Sequence, residues 1–159
     1  MIFHVMRTLN FMAKTMIFAA IATLATACNP KLAVKQLQLS ETVDSFATYY
    51  YNWQFREARN FVTDESEIWL RYMASQVSEN DLELLNSRNE AATCETADVT
   101  FENDSTATVA IVVGNHLHMD SIGQKPVVRD ESRASLRVVF DKGRNRWLVS
   151  LKSPLVDEK

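Results

Sequence analysis

The sequence predicts an α+β domain in which N-terminal helices pack on a curved antiparallel sheet of about four strands. Three observations predict it. Between residues 42 and 86 apolar residues recur at three- and four-residue spacing, with no Gly or Pro to interrupt them. From Ala97 to Leu151 apolar residues instead alternate with polar ones, the period of a half-buried strand. The helical segments all precede the strand segments. That segregation fits an antiparallel sheet with one face covered by helices, and it does not fit a βαβ winding.

The helices follow in order. Val43, Phe46, Ala47, Tyr50 and Trp53 or Gln54 form the apolar stripe of the first. In the segment Phe55–Val62, the residues Phe55, Ala58, Phe61 and Val62 share a face. Thr63 or Asp64 caps a third helix, with Trp69, Leu70, Met73 and Val77 inward. Ser78 caps a short fourth, with Leu82 and Leu85 inward.

The strands come next. Ala97, Val99 and Phe101 point one way, and the run Glu102-Asn103-Asp104-Ser105 turns the chain. Val109, Ile111 and Val113 continue, with Leu117 and Met119 in the same phase. Residues 120–130, containing Gly123 and Pro126, read as a loop. Leu136, Val138 and Phe140 then alternate. Asp141-Lys142-Gly143 turns, and Trp147, Val149 and Leu151 close the pattern.

Two segments carry a family resemblance. Asn52-Trp53-Gln54-Phe55-Arg56-Glu57-Ala58-Arg59-Asn60-Phe61-Val62-Thr63 resembles the second-helix signature of small lipoproteins in the nuclear transport factor 2-like (cystatin-like roll) superfamily. Arg146-Trp147-Leu148-Val149-Ser150-Leu151 is similar to that superfamily's closing hairpin. The likeness spans residues 42 to 152. It implies a cone-shaped roll whose sheet wraps the helices around a pocket, and its motifs bring no catalytic residue with them.

The first 27 residues have a separate character. Arg7 and Lys14 are their only charged side chains, and an apolar run follows Lys14. This is the pattern of a signal peptide: a positive end, an apolar core and small residues before a cut. The run falls short of the about 20 apolar residues that a spanning helix needs. A start at Met6 would place Arg7 beside the initiator. The residues Leu24-Ala25-Thr26-Ala27-Cys28 resemble the lipobox of bacterial lipoproteins, with the Leu one place further from the cysteine than usual. The resemblance implies cleavage before Cys28 and acylation of that cysteine, palmitate included. A plain secretory cut after Ala25-Thr26-Ala27 is the alternative. Asn29 stands where an Asp would resemble the inner-membrane retention signal. The expected location is therefore the cell envelope, at the outer membrane facing the periplasm. The expected organisation is a signal peptide over 1–27, a lipidated cysteine and tether over 28–41, and a single domain over 42–155.

Charge and cysteine count narrow the partners. The leader holds two of the 17 basic residues and none of the 20 acidic ones, so the mature chain carries 15 against 20, a net charge of −5. An acidic surface argues against nucleic acid and against electrostatic docking on anionic lipid. Arg129, Arg133, Arg137, Arg144 and Arg146 are interleaved with Asp130, Glu131 and Asp141, which reads as a mixed-charge surface. With Cys28 acylated, Cys94 has no partner in the chain and reads as a small buried hydrophobe.

Four groups invite a chemical reading. His116, His118 and Asp120 alternate, so one strand face would hold two imidazoles and a carboxylate, donors suited to zinc or copper. Their phase opposes Leu117 and Met119, which puts them on the wet outer face, and no metal is expected. Tyr49, Tyr50, Tyr51 and Trp53 would line a pocket for a small apolar ligand, but three successive helical residues sweep about 200° and cannot share one. Asp44 and Glu57 are helix carboxylates expected to be solvated. None of the expected inward strand positions is ionisable, so no catalytic residue and no cofactor are expected. The reading is a non-enzymatic, membrane-anchored domain that binds a protein or small ligand. The alternatives are a small lyase, isomerase or hydrolase using a roll pocket, and an accessory subunit of an envelope transport or secretion assembly. Val112 and Gly114 on the outer sheet face would suit a homodimer.

Overall fold

The computed structural model describes residues 30–119 and 124–155. Contacts divide the chain into two units, 1–36 and 37–159, and the buried apolar residues among those described belong to the second. The domain is α+β, as expected. Its helices are α1 (Pro30–Tyr51), α2 (Phe55–Ala58), α3 (Glu67–Gln76) and α4 (Glu79–Asn86). Its strands are β1 (Thr93–Asn103), β2 (Thr106–His118), β3 (Val127–Asp141) and β4 (Arg146–Val149), an antiparallel meander in the order 1-2-3-4. No helix among the described residues is long and apolar enough to cross a membrane.

Helix α1 supplies the ridge of the core. Leu39, Val43, Phe46, Ala47, Tyr50 and Tyr51 are buried, a stripe with helical period that begins before the expected Val43. The stretch read as a tether is helical from Pro30, and Leu39 within it is 0% exposed. The ridge meets Val109, Ile111 and Val113 of β2, Leu136 and Val138 of β3, and Trp147 and Val149 of β4 in one core. Burying each such side chain contributes about 1.5–3 kcal/mol.

Helix α1 stops without Gly or Pro. Trp53 takes φ 58, the Gln54 amide donates to the Tyr49 carbonyl at 2.8 Å, and the Trp53 amide to Tyr50 at 3.1 Å. This pair of bonds is the Schellman closure, usually made by Gly. Phe55 and Ala58 of α2 then turn inward, and a 3-10 turn, Arg59–Phe61, leads to Val62. Val62 forms a parallel bridge with Val149, and the Thr63 amide donates to the Val149 carbonyl at 3.0 Å. The helical segment thereby joins the sheet at β4. Ser66, at 0% exposure, locks the junction: its hydroxyl accepts from the Leu151 amide at 2.8 Å and meets Thr63 Oγ1 at 2.7 Å.

Helices α3 and α4 are more exposed than expected. On α3 only Leu70 is buried, with Trp69, Met73 and Val77 half-buried. Ser78 does cap α4: its hydroxyl accepts from the Asp81 amide, and Asp81 accepts from the Ser78 amide at 2.9 Å. Leu82, expected inward, is 43% exposed, while Leu84 and Leu85 are half-buried.

Bulges interrupt the strand pattern. The β1–β2 register slips between Thr96 and Asp98 and again between Phe101 and Asn103. The first slip reverses the phase of β1, so Cys94 and Thr96 face the core before it and Val99 and Phe101 after it. Ala97, expected inward, is exposed. An extra residue bends a strand and increases its twist. Both turns use a side-chain acceptor. Asn103 Oδ1 accepts from the Ser105 amide at 2.9 Å, and Asp141 Oδ1 from the Gly143 amide at 2.8 Å.

The bulge makes a sharp prediction. Ala97→Lys should change stability by less than about 0.5 kcal/mol. Ile111→Ala, on the buried face of β2, should cost about 2–5 kcal/mol. Urea unfolding monitored by circular dichroism measures both. Loss of folding in Ala97→Lys would contradict the register.

Candidate functional site

The roll interior is occupied by aromatic side chains. The Tyr50 ring centre lies 5.5 Å from Phe46, 5.3 Å from Tyr51 and 5.5 Å from Phe55, and its hydroxyl accepts from the Leu155 amide at 3.1 Å. Tyr50 and Tyr51 are each 5% exposed, so they fill the core rather than line an opening. Tyr49 turns aside to stack on Phe61 at 5.8 Å, and Trp53 is half-buried. At the far end Trp147 packs between Phe140 at 5.3 Å and Phe101 at 6.1 Å. The four aromatics of residues 49–53 are thus divided among different contacts, as the helical sweep requires.

His116 departs most from the sequence expectation. Expected on the wet face, it is 0% exposed. The strict alternation of β2 breaks at Asn115, which takes φ 49. Before it, Val109, Ile111 and Val113 are buried in alternation; after it, His116 is buried together with Leu117. Asn tolerates this conformation better than most residues. Its side chain is also held, because Arg88 Nη2 donates to the Asn115 carbonyl oxygen at 2.6 Å and to Oδ1 at 2.5 Å. The His116 ring meets the edge of Tyr51 at 5.2 Å, and Nε2 lies 3.4 Å from Ser132 Oγ. Arg129 is its register partner on β3. An ionisable side chain therefore does face inward, against the expectation that none would.

The proposed metal set is not assembled among the described residues. The His116 and His118 rings are nearly perpendicular, with centres 6.2 Å apart, His116 buried and His118 half-buried. Asp120 lies outside the described residues, as does Cys28. Among the described residues no group of three His, Cys, Asp or Glu side chains is placed to hold a metal ion.

The helix carboxylates take different environments. Asp44 is half-buried and accepts from Thr96 Oγ1 at 2.8 Å, tying α1 to β1, while Glu57 is exposed. Cys94, on the same face of β1 as Thr96, packs against the core. Burial, with the Asp44 carboxylate adding to it, pushes its thiol up to about 12. The thiolate is the reactive form, so this cysteine is inert at neutral pH.

Openings among the described residues include two beside the short helices. A cleft of about 330 Å³ runs between α2 and α3. It is lined by buried Phe55 and Leu70, by exposed Ala74, Arg56, Arg59 and Arg71, and by half-buried Glu67. It shares Arg56, Arg59 and Glu67 with a trough of about 510 Å³ that continues to Asp64, Arg144 and Arg146. Two of these arginines are paired: Arg59 Nε to Glu67 at 2.7 Å, and Arg144 to both Asp64 oxygens at 2.6 and 2.8 Å. The hydrogen bonds it donates to Asp64 hold the Arg144 guanidinium pKa above its ordinary value. Arg56, Arg71 and Arg146 form no ion pair among the described residues. The sequence did display Arg56, Arg59 and Arg71, but their convergence depends on the link 59–66, whose two 3-10 turns bring α3 beside α2. A second, polar groove of about 750 Å³ lies along α4 beside Gln124 and Lys125. His116 lines none of these openings.

Comparison with known proteins finds a distant structural likeness. No family model matches the chain. No curated protein matches it. Among solved structures it is similar to an Ntf2 like protein involved in plasmid conjugation, at 12% identity and a TM-score of 0.38. That likeness covers 78% of this chain and 49% of the other, so the chain matches about half of that protein's length.

Two outcomes check the site. Alkylation of Cys94 by iodoacetamide at pH 7.5 should be far slower in the folded chain than in urea; equal rates would contradict its burial. Zinc should leave the melting temperature unchanged in wild type and in His116→Ala. A zinc-dependent rise that His116→Ala removes would restore the metal reading.

Proposed function

We propose that the chain is a membrane-anchored envelope lipoprotein whose domain is a binding module rather than an enzyme. The observation that carries the binding reading is the filled roll. Phe46, Tyr50, Tyr51 and Phe55 occupy the space a roll enzyme needs for substrate, and the arginine-rimmed openings lie on the outer side of α2 and α3. The anchoring reading is carried by the leader that ends at Cys28. Acyl chains on that cysteine would hold an acidic domain at a membrane whose charge repels it, and two or more chains hold firmly. Asn29 supports the outer membrane as its place.

One observation favours a second reading. His116, buried within reach of Ser132 Oγ, is the kind of inward base a small pocket enzyme would use. That reading requires a path from solvent to an imidazole that is 0% exposed. A serine-directed fluorophosphonate that labelled Ser132 in wild type and not in His116→Gln would favour it; the binding reading expects no label.

The anchoring is tested by metabolic labelling with a palmitate analogue. The wild type should incorporate label and Cys28→Ser should not. An unlabelled wild type, or label retained in Cys28→Ser, would overturn the lipoprotein reading. Affinity capture from solubilised envelope then separates a protein partner, including a transport or secretion assembly, from a small ligand.

A further inference from the structure

We infer that the cleft between α2 and α3 binds a soluble carboxylate that carries an apolar tail, an inference that rests on the domain being a binding module. The first support is composition. Five of the chain's ten arginines line this cleft and its adjoining trough, and no lysine does. Arginine presents a planar fork of donors that matches a carboxylate in two parallel hydrogen bonds, which a lysine cannot offer. The second support is charge. Against those five arginines stand Glu57, Asp64 and Glu67, so the lining carries an excess of two positive charges on a mature chain of net −5. A positive, concave site on an acidic protein draws in anions.

The third support is the floor. Phe55, Leu70 and Ala74 give the cleft an apolar base between arginines, so the site offers a charged rim and a greasy slot together. Arg56 and Arg71 flank that slot, both exposed and both without a carboxylate partner among the described residues. A cleft of about 330 Å³ suits a small molecule and is at the lower end of the range for ligand sites. In the bound state the carboxylate lies between Arg56 and Arg71, the tail lies along Phe55 and Leu70, and Glu67 stays on Arg59.

The test is photolabelling of the full chain in nanodiscs of zwitterionic lipid. The probe is an octanoate analogue with a diazirine on its tail, and crosslinked peptides are mapped by mass spectrometry. Label should fall on peptides containing Phe55, Leu70 and Ala74. Octanoate should compete it away and octanol should not. Arg56→Gln and Arg71→Gln should each weaken the competition about ten-fold, the loss of one charge-assisted hydrogen-bonded contact. Both are exposed positions, so their melting temperatures should match wild type, and Arg133→Gln should behave as wild type. Label elsewhere, equal competition by octanol, or indifference to both arginine changes would overturn the inference. Suppression of the label by anionic phospholipid in the disc, without competition by octanoate, would overturn it in favour of a lipid headgroup. Each of these results is independent of palmitate incorporation at Cys28, so a failure here is distinguishable from a failure of the lipoprotein reading.

Discussion

Everything in this domain depends on the apolar ridge of α1 pressing into the inner face of the sheet. Leu39, Val43, Phe46, Ala47, Tyr50 and Tyr51 form one stripe, and three strands close on it. A sheet of four strands cannot bury its inner face alone, and a helix of this length gains little from its own hydrogen bonds in water. Each becomes stable by covering the other. The remaining joints keep that contact in register. Asp44 holds Thr96, the Val62–Val149 bridge ties the α2 segment to β4, and Ser66 clasps the backbone of Leu151.

The same contact decides what kind of function the fold has room for. Among the described residues, large aromatic rings fill the space between α1 and the sheet. Exposed polar chemistry is then left to the outer surfaces of the short helices. Helices α3 and α4 contribute few buried residues, so most of their side chains stay available to solvent and to ligands. Arg56 and Arg59 converge with Arg71 through the link between α2 and α3, which is pinned to β4 by the Val62–Val149 bridge.

Much of this was legible in the sequence, and the misses have local causes. Period 3.6 before residue 86 and period 2 after Ala97 gave the order of the elements, and Ser78, Asn103 and Asp141 marked a cap and two turns correctly. The break between the first two helices fell at Trp53–Gln54 as expected, though Trp53 closes it in a conformation that Gly normally takes. Two points within the strands defeated periodicity. The extra residue near Ala97 separates it from the inward phase of Val99 and Phe101, and the αL backbone of Asn115 breaks the alternation of β2, so that His116 is buried along with the expected Leu117. That is why Ala97 was expected inside and His116 outside. An Asn after a Gly within a strand was the available hint at residue 115. The arginine cleft was not legible, because its members are adjacent in space only through the path of residues 59–66.

The filled interior is the claim on which the rest stands, and small apolar gases probe it directly. Methyl chemical shifts recorded under xenon pressure report whether a dry cavity exists beside Val43, Ile111, Val113 and Leu136. The account predicts no xenon-dependent shift at those methyls in the wild type. It predicts clear shifts in Phe46→Ala, where a fully buried ring has been removed. Strong shifts in the wild type would mean that the roll already encloses an empty pocket, and would contradict the account.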